Sequence, residues 1–335
     1  MYTSSLLFLA SVLGLSASAA VGPNFQQAVY WGQAPKQARL SHFCDNSQGI
    51  DILPLGFLSQ FGNHTRPEGL IGQCNITLSD EGLNSPDCQQ LATDIEYCQS
   101  QNKVILLSLG GELGKYGLDD EADAENLAMR LWAMYGPLQK GYKGPRPLGN
   151  VSVDGFDFDI EHDVGANYYP FLVTRLRDLF ANDPSKKYYI SGAPQCMLPD
   201  ANMGDMIFNA EFDYLFLQYY NTPKCSARGE ISGYDLAQGA DQYFTFDAWE
   251  AFTRTAPSKS VQSKLFIGLP GSTTAANKDQ YLNPTEALKL ITQYKSHAGF
   301  AGVMVWDAGS SDSNVVNGCT FSQQIANILQ KGKTC

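Results

Sequence analysis

Eight short apolar segments that alternate with helical segments constrain this chain more than any other feature. The strand-like segments, rich in β-branched and aromatic residues, are 28–32, 50–57, 104–109, 155–161, 188–193, 214–220, 264–269 and 301–306. Helical patterns fill most of the intervals, at 88–101, 123–135, 168–182, 244–256, 284–296 and 321–331. Alternating strands and helices pair in parallel through right-handed crossovers. Eight such units in 335 residues predict an α/β fold, the single-domain (β/α)₈ TIM barrel.

An open doubly wound sheet is the alternative arrangement for alternating strands and helices. That fold usually carries a Gly-rich dinucleotide fingerprint after its first strand, and none follows the segment 28–32. No composition shift and no internal repeat divides the chain. The barrel is therefore the favoured prediction.

The first 19 residues have most features of a secretory signal peptide. The apolar stretch 6–15 is too short to span a bilayer, and Ala17-Ser18-Ala19 matches an A-x-A cleavage site. The stretch before the apolar core carries no Lys or Arg, and the alternative is a buried N-terminal helix. We expect residues 1–19 to be removed and residues 20–335 to form the mature domain.

Cysteine content and charge also indicate export. The eight cysteines form no CxxC pair, which fits complete disulfide pairing and argues against zinc. Sequons begin at Asn63, Asn75 and Asn150 and offer sites for N-glycans. The net charge of −11, with no basic run, argues against nucleic acid as a partner. With no apolar C-terminal anchor, we expect a protein without a membrane partner, exported to the medium, the cell wall or the vacuole.

The strongest chemical signal is the segment VDGFDFDIE at 153–161. Strand side chains alternate between faces, so Asp157, Asp159 and Glu161 share one face, with Cα atoms about 6.6 Å apart per step. The apolar residues between them share the other face, which would point to the helices. Barrel interiors are normally filled by aliphatic residues, and three buried acids are costly unless function retains them.

These stacked carboxyl groups cannot all ionise freely, so at least one pKa should be raised and its group should stay protonated near neutral pH. A general acid requires such a group. Glu161 is the outermost and has the longest reach, and we assign it the proton-donor role. Asp157 and Asp159 would tune its pKa. The alternatives are a solvated acidic loop, or a metal site that adds His162 and Asp163.

The motif DGFDFDIE at 154–161 resembles the DGxDxDxE signature of glycoside hydrolase family 18, the retaining chitinases. SLGG at 108–111 is similar to the family's SxGG on the third strand. YWGQ at 30–33, APQC at 193–196 and QYYN at 218–221 resemble the plant-type (class III) branch of plants and fungi. The resemblance spans roughly residues 28 to 307 and implies a catalytic domain over 20–335 that needs no cofactor and no metal.

The resemblance implies that the substrate's own 2-acetamido group is the nucleophile. Glu161 would act as acid and then as base. Asp159 would orient the acetamido group and stabilise the oxazolinium ion, and Asp157 would hold the proton balance of Asp159. Tyr220 would donate a hydrogen bond to the acetamido oxygen. The implied sugar contacts are Tyr30, Gln33, Phe57, Gln218 and Trp306, of which Phe57 and Trp306 could instead be core residues.

The same resemblance implies a disulfide framework. Three pairs follow from it, and the two remaining cysteines pair by elimination: Cys44–Cys98, Cys74–Cys88, Cys196–Cys225 and Cys319–Cys335.

Bacterial-type members of the family insert a small α+β domain between strands seven and eight. Here only about 30 residues separate Leu269 from Ala301, and a helical pattern fills much of that interval. No inserted domain fits. A shallow groove that is open at both ends favours internal cleavage of a polymer.

The sequence thus predicts a secreted, monomeric endochitinase that acts on chitin or chitooligosaccharides. An endo-β-N-acetylglucosaminidase acting on N-glycans is one alternative, disfavoured by the short chain and the plant-type motifs. A non-catalytic chitin-binding lectin on the same barrel is another, disfavoured because all four residues at catalytic positions are present.

Overall fold

The computed structural model describes residues 25–77, 85–162, 164–232, 244–277 and 279–335. The predicted signal peptide and Asp163 lie outside these ranges. Within them, no helix combines the length and the apolar character needed to cross a bilayer.

Eight parallel strands close into a barrel. They are β1 (Gln26–Val29), β2 (Ile52–Leu58), β3 (Val104–Gly110), β4 (Gly155–Asp159), β5 (Tyr189–Gly192), β6 (Tyr214–Gln218), β7 (Lys264–Pro270) and β8 (Phe300–Trp306). β8 pairs with β1 and closes the ring, with Gln26 opposite Gly302 and Val29 opposite Val305. The predicted single-domain (β/α)₈ barrel is confirmed.

Helices pack around the outside of this ring. They are α1 (Leu40–Phe43), α2 (Pro86–Ser100), α3 (Glu121–Tyr135), α4 (Tyr169–Ala181), α5 (Gly204–Asn209), α6 (Ala227–Ser232), α7 (Phe246–Arg254), α8 (Pro284–Tyr294), α9 (Ala308–Ser313) and α10 (Phe321–Lys331). The sequence did not predict α1, α5, α6 and α9, since four to six residues are too few to show a helical period.

Four strands, β1, β4, β5 and β6, end earlier than predicted at the C-terminal rim of the barrel, and the ends of β1 and β4 bear on the site. β1 ends at Val29, because Trp31 forms only an isolated bridge with Leu55. β4 ends at Asp159, where its ladder with β3 reaches the pair Gly110 and Asp159. Glu161 consequently lies two residues past the strand, at the mouth of the barrel.

The barrel interior and its outer layer are separate apolar clusters. Phe216 and Phe266 lie in the interior, with ring centroids 5.2 Å apart in an edge-to-face arrangement. Phe156 and Phe158 of β4 are buried in the outer cluster, against the helices. The inward-facing acids of β4 therefore lie among apolar neighbours, where burial opposes their ionisation.

Four disulfides fasten segments outside the barrel. Three are the pairs that the family resemblance implies, and the fourth is the pair inferred by elimination. The bonded cysteines are Cys44–Cys98, Cys74–Cys88, Cys196–Cys225 and Cys319–Cys335. The first two anchor α2 at both ends, and the last fastens the segment that follows α10. Each closes a loop and so restricts the unfolded chain.

The interval between β7 and β8 is occupied by α8 and its connections, so the described part of this interval contains no inserted domain. On the molecular surface, Asn63, Asn75 and Asn150 are exposed. Their glycosylation stays a prediction.

Candidate active site

The acids of β4 point into the barrel near its C-terminal mouth. Asp157 is fully buried and Asp159 is 5% exposed, whereas their neighbours Phe156 and Phe158 pack against the helices. Strand alternation therefore places the acids on the inner face, as predicted. The solvated-loop alternative is wrong, because Asp157 and Asp159 belong to a buried, paired strand.

Asp157 accepts hydrogen bonds from three hydroxyl groups. The Tyr30 hydroxyl, just after β1, donates to Oδ2 at 2.7 Å, and the Ser108 hydroxyl of β3 donates to the same oxygen at 2.5 Å. Ser191 of β5 donates to Oδ1. Ser108 and Ser191 are the register partners of Asp157, so all three share the inner face. Burial raises the pKa of Asp157 above its ordinary value, although the three hydroxyls oppose the rise. The ionised form is the one that accepts from all three donors.

Asp159 has a different environment. Gln218 Nε2 donates to Asp159 Oδ1 at 2.9 Å and to the Ala193 carbonyl at 2.8 Å, which fixes the carboxyl group at the base of the cleft. Burial raises the pKa of Asp159 well above its ordinary value, and the adjacent Glu161 and Asp157 carboxyls raise it further. With Asp157 ionised beneath it, Asp159 retains a proton at rest.

Glu161 is held at the cleft by its backbone. Its N–H donates to the Tyr116 hydroxyl at 2.9 Å, and that hydroxyl donates to the Gly111 carbonyl at 3.2 Å. The side chain lines the cleft. Burial raises the pKa of Glu161, and the Glu112 carboxylate raises it further. Glu161 therefore stays protonated at a higher pH than an exposed glutamate does.

Glycines at the end of β3 allow the close packing around these acids. Gly110 has φ +113°, and a Cβ there would lie 2.1 Å from the Asp159 carbonyl oxygen. Gly111 has φ +86°, and its Cβ would lie 3.0 Å from the Phe57 ring. Both positions need a residue without a side chain.

A cleft of about 720 Å³ opens above the acids. On its floor, Trp306 stacks on Phe57 with ring centroids 5.8 Å apart and planes inclined by 21°. The peptide bonds that precede Phe57 and follow Trp306 are cis. Four of the five predicted sugar contacts line this cleft: Gln33, Phe57, Gln218 and Trp306.

The fifth, Tyr30, lies beneath the floor. It is 2% exposed, its ring packs 5.5 Å from that of Trp306, and its hydroxyl bonds to Asp157. Gln33 also uses its amide nitrogen within the protein, since Nε2 donates to the Gly56 carbonyl at 2.7 Å. In the structure, Tyr30 supports the floor and Gln33 supports the wall.

Tyr220 contributes a hydroxyl donor. Its side chain lines the cleft and is 5% exposed. Burial, followed by the charges of Asp159 and Glu161, raises the pKa of Tyr220 well above its ordinary value. The phenol therefore stays protonated and can donate to an acceptor bound beside Asp159.

Sequence reasoning missed three residues around Glu161. Tyr116 holds its backbone, while Gln195 and Glu112 line the cleft beside it. Gln195 stands within the APQC segment, which carried a signal, and forms an isolated bridge with Gln218. Nothing in the sequence pattern marks Tyr116 or Glu112, which lie in and beside the loop after β3.

The alternative of a metal site among the β4 acids gains no geometric support. Among the described residues, the one convergent group of potential ligands is Asp247, Glu250 and His297, whose ligand atoms lie within 4.8 Å of one another. There, His297 Nδ1 lies 3.1 Å from Asp247 and 3.4 Å from Glu250, as in ion pairs. Asp163 lies outside the described residues.

Comparison with known proteins gives concordant results. Residues 26–289 match the model of the family described as glycosyl hydrolases family 18. Endochitinase A1 of Aspergillus fumigatus is 38% identical over 98% of this chain and 41% of its own length. Endochitinase 2 of Metarhizium robertsii is 40% identical over 93% of this chain and 75% of its own length. The chain thus spans less than half the length of the Aspergillus relative.

Solved structures share the same architecture. A chitinase from Ipomoea carnea, ICChI, superposes with a TM-score of 0.72 at 29% identity, over 90% of this chain and 98% of that one. A xylanase and α-amylase inhibitor protein from Scadoxus multiflorus, XAIP-II, also reaches 0.72, at 30% identity over 90% of this chain and 97% of that one.

Proposed function

Because this chain belongs to glycosyl hydrolase family 18, we propose that it hydrolyses internal β-1,4 bonds between N-acetylglucosamine units of chitin with retention of configuration. One observation carries the proposal. Asp157, Asp159 and Glu161 are stacked from the interior to the mouth of the barrel and end in a cleft with an aromatic floor. Two relatives that the chain matches are named endochitinases.

Glu161 is the acid in this mechanism. Its proton moves to the glycosidic oxygen as the bond from that oxygen to the anomeric carbon breaks. The 2-acetamido oxygen of the same sugar bonds to the anomeric carbon and forms an oxazolinium ion. Glu161, now ionised, takes a proton from a water molecule that attacks the anomeric carbon and opens the ring. Two inversions at one carbon give net retention.

Asp159 and Tyr220 hold the acetamido group during this sequence. Tyr220 donates its hydroxyl to the acetamido oxygen, which turns that oxygen toward the anomeric carbon. As the charge develops, Asp159 passes its resting proton to the ionised Asp157, and the Asp159 carboxylate then accepts from the acetamido N–H and stabilises the positive charge there. Gln218 fixes Asp159 through the 2.9 Å hydrogen bond, and ionised Asp157 governs its protonation.

The shape of the cleft supports internal cleavage. Its walls run from Leu70 and Leu113, after β2 and β3, to Asn221 and Asn277, after β6 and β7. The described interval between β7 and β8 contains α8 and no inserted domain that would wall the cleft. A polymer can therefore cross the cleft with sugars on both sides of Glu161.

Neither alternative activity is favoured. A chitin-binding lectin has no need for the paired and hydrogen-bonded acids at the end of β4. An endo-β-N-acetylglucosaminidase has no counterpart among the relatives named above, two of which are endochitinases.

We also propose that the protein is secreted, with residues 1–19 as the signal peptide and residues 20–335 as a monomeric catalytic domain. The four disulfides support this, since such bonds persist in oxidising compartments.

The test is hydrolysis of a soluble, fully acetylated chitin hexamer. We expect internal products from the first time points, with the β-anomer formed first, as chromatography and NMR would measure. An N-glycan release assay, run in parallel, should give no product. Release of sugars from one end only, the α-anomer first, or cleavage of the glycan alone would contradict the proposal.

The pH dependence provides a second check on the acid. Since Glu161 must be protonated to act, kcat/KM should fall as pH rises through its raised pKa, a descending limb above the ordinary value of 4.5. The Glu112→Gln variant removes the charge that raises this pKa most, so its descending limb should lie at lower pH. A descending limb with its midpoint at or below pH 4.5, or one that Glu112→Gln shifts to higher pH, would argue against Glu161 as the acid.

A further inference from the structure

Glu112 is a cleft residue to which the mechanism gives no contact with the substrate. It follows β3, is exposed and lines the cleft. Within the described ranges, no salt bridge joins it to any Lys, Arg or His. The described residues that line the cleft include three carboxyl groups, those of Glu112, Asp159 and Glu161, and no basic side chain. A bound sugar therefore meets an unpaired negative charge.

Glu112 and Glu161 follow the adjacent ends of β3 and β4, and both side chains line the cleft. Gly110 pairs with Asp159, and the Gly111 N–H donates to the Asp159 carbonyl at 2.8 Å. Glu112 and Glu161 each come two residues after this last pair. Consistent with this placement, Glu112 raises the pKa of Glu161 more than any other charge does. Its effect on the pKa of Asp159 is smaller than the effects of Glu161 and Asp157.

This placement decides which sugar Glu112 meets. Asp159 and Tyr220 hold the acetamido group of the reacting sugar, and Glu161 faces the oxygen that links it to the leaving sugar. Since Glu112 and Glu161 come from adjacent strand ends and line one cleft, the leaving sugar is the one that Glu112 would face. The reacting sugar must keep its N-acetyl group, since that group is the nucleophile. The leaving sugar has no such requirement.

We propose that Glu112 is a specificity-determining residue that selects a cationic 2-amino sugar on the leaving side, so that the preferred substrate is partially N-deacetylated chitin. This inference rests on the proposed function. The ammonium group of a glucosamine unit would pair with the Glu112 carboxylate, where an N-acetyl group offers no charge. The net charge of −11 also attracts a polycation over longer distances. Because Glu112 is exposed, the preference should be modest, roughly twofold to fivefold, and weakened by salt.

To test this, a randomly deacetylated chitin is digested with the protein at mildly acidic pH and low salt, and the products are sequenced. New reducing ends should all be N-acetylated. New non-reducing ends should carry free amines roughly twofold to fivefold more often than the polymer average. Glu112→Gln should abolish this enrichment. The matched control is Glu96→Gln, which removes the same charge from the exposed face of α2 and should leave the enrichment intact.

Two features of this design isolate recognition from catalysis. Glu112→Gln also lowers the pKa of Glu161, and this changes the cleavage rate by the same factor at every bond. At a fixed pH, the fraction of free amines among the new chain ends therefore reports only the preference between glucosamine and N-acetylglucosamine. High salt should remove the enrichment from the wild type without changing which sugar forms the reducing end. A thermal unfolding curve verifies that each variant is folded.

The outcomes separate this inference from the proposed function. Suppose that the wild type cleaves the acetylated hexamer, but the new non-reducing ends from deacetylated chitin carry free amines only as often as the polymer average. The inference is then wrong and the proposed function stands. The same holds if the enrichment persists in Glu112→Gln. Failure to cleave the acetylated hexamer would contradict the proposed function, and this inference with it.

Discussion

Glu161→Gln is expected to lower kcat on a chitin hexamer by about 10² to 10⁴ without unfolding the protein. Glutamine keeps the size of the side chain, and the backbone hydrogen bond from residue 161 to Tyr116 does not depend on the carboxyl group. The amide has no proton to give to the glycosidic oxygen. Steady-state kinetics, with the melting temperature measured alongside, would quantify the loss.

A substrate with a different leaving group tests whether Glu161 acts as the acid. An aryl glycoside with a weakly basic leaving oxygen needs little protonation, so Glu161→Gln should lose much less activity on it than on the hexamer. Glu112→Gln makes the same chemical change after the adjacent strand and serves as the matched control, with a far smaller loss on the hexamer. Equal losses on both substrates, or a variant that keeps a tenth of the activity, would remove Glu161 from the acid role.

Asp159→Asn is expected to lower kcat by about 10² to 10³, by analogy with the loss of one electrostatic stabiliser of a transition state. Asparagine resembles the protonated form that Asp159 holds at rest, so binding should survive. It cannot become negative when the oxazolinium charge develops. Single-turnover rates, compared with binding of the intact hexamer, would separate the two effects.

The aryl glycoside should distinguish this variant from the first. Attack by the acetamido group is needed whatever the leaving group, so Asp159→Asn should lose activity on both substrates alike. Asp178→Asn, the same substitution on the exposed face of α4, is the control and should retain full activity. Recovery of Asp159→Asn on the aryl glycoside would mean that Asp159 assists departure instead of ring closure.

Periodicity predicted the barrel because each strand has its own apolar pattern, and it failed where structure depends on local contacts. The helical pattern predicted α10 with its observed bounds, and in the structure these bounds are fixed by a capping box of Thr320 and Gln323 and by Gly332 in the left-handed region. The end of β1 was predicted too late. The C-terminal end of β1 depends on where its hydrogen-bonded ladder to the neighbouring strands stops, and the apolar sequence continues past that residue.

The candidate site divides in the same way. The two-residue alternation in one strand identified Asp157, Asp159 and Glu161. Tyr116 and Glu112 come from a connection with no repeating pattern, and their proximity to Glu161 depends on the paths of β3 and β4 past their last paired residues. Tyr30 was assigned to the substrate, but the register of β3, β4 and β5 gathers hydroxyls around Asp157 and gives Tyr30 a partner within the protein.

The three hydroxyls gathered on Asp157 have a consequence for engineering. They come from Tyr30, Ser108 and Ser191, which belong to separate segments of the barrel, so removing this carboxylate would orphan three donors at once in a site without water access. Activity and stability are therefore inseparable at Asp157 but separable at Glu161, which sits at the rim. A non-hydrolysing reagent for labelling polysaccharide in cell walls should be built on the substitution at Glu161, with the inner carboxylate left as it is.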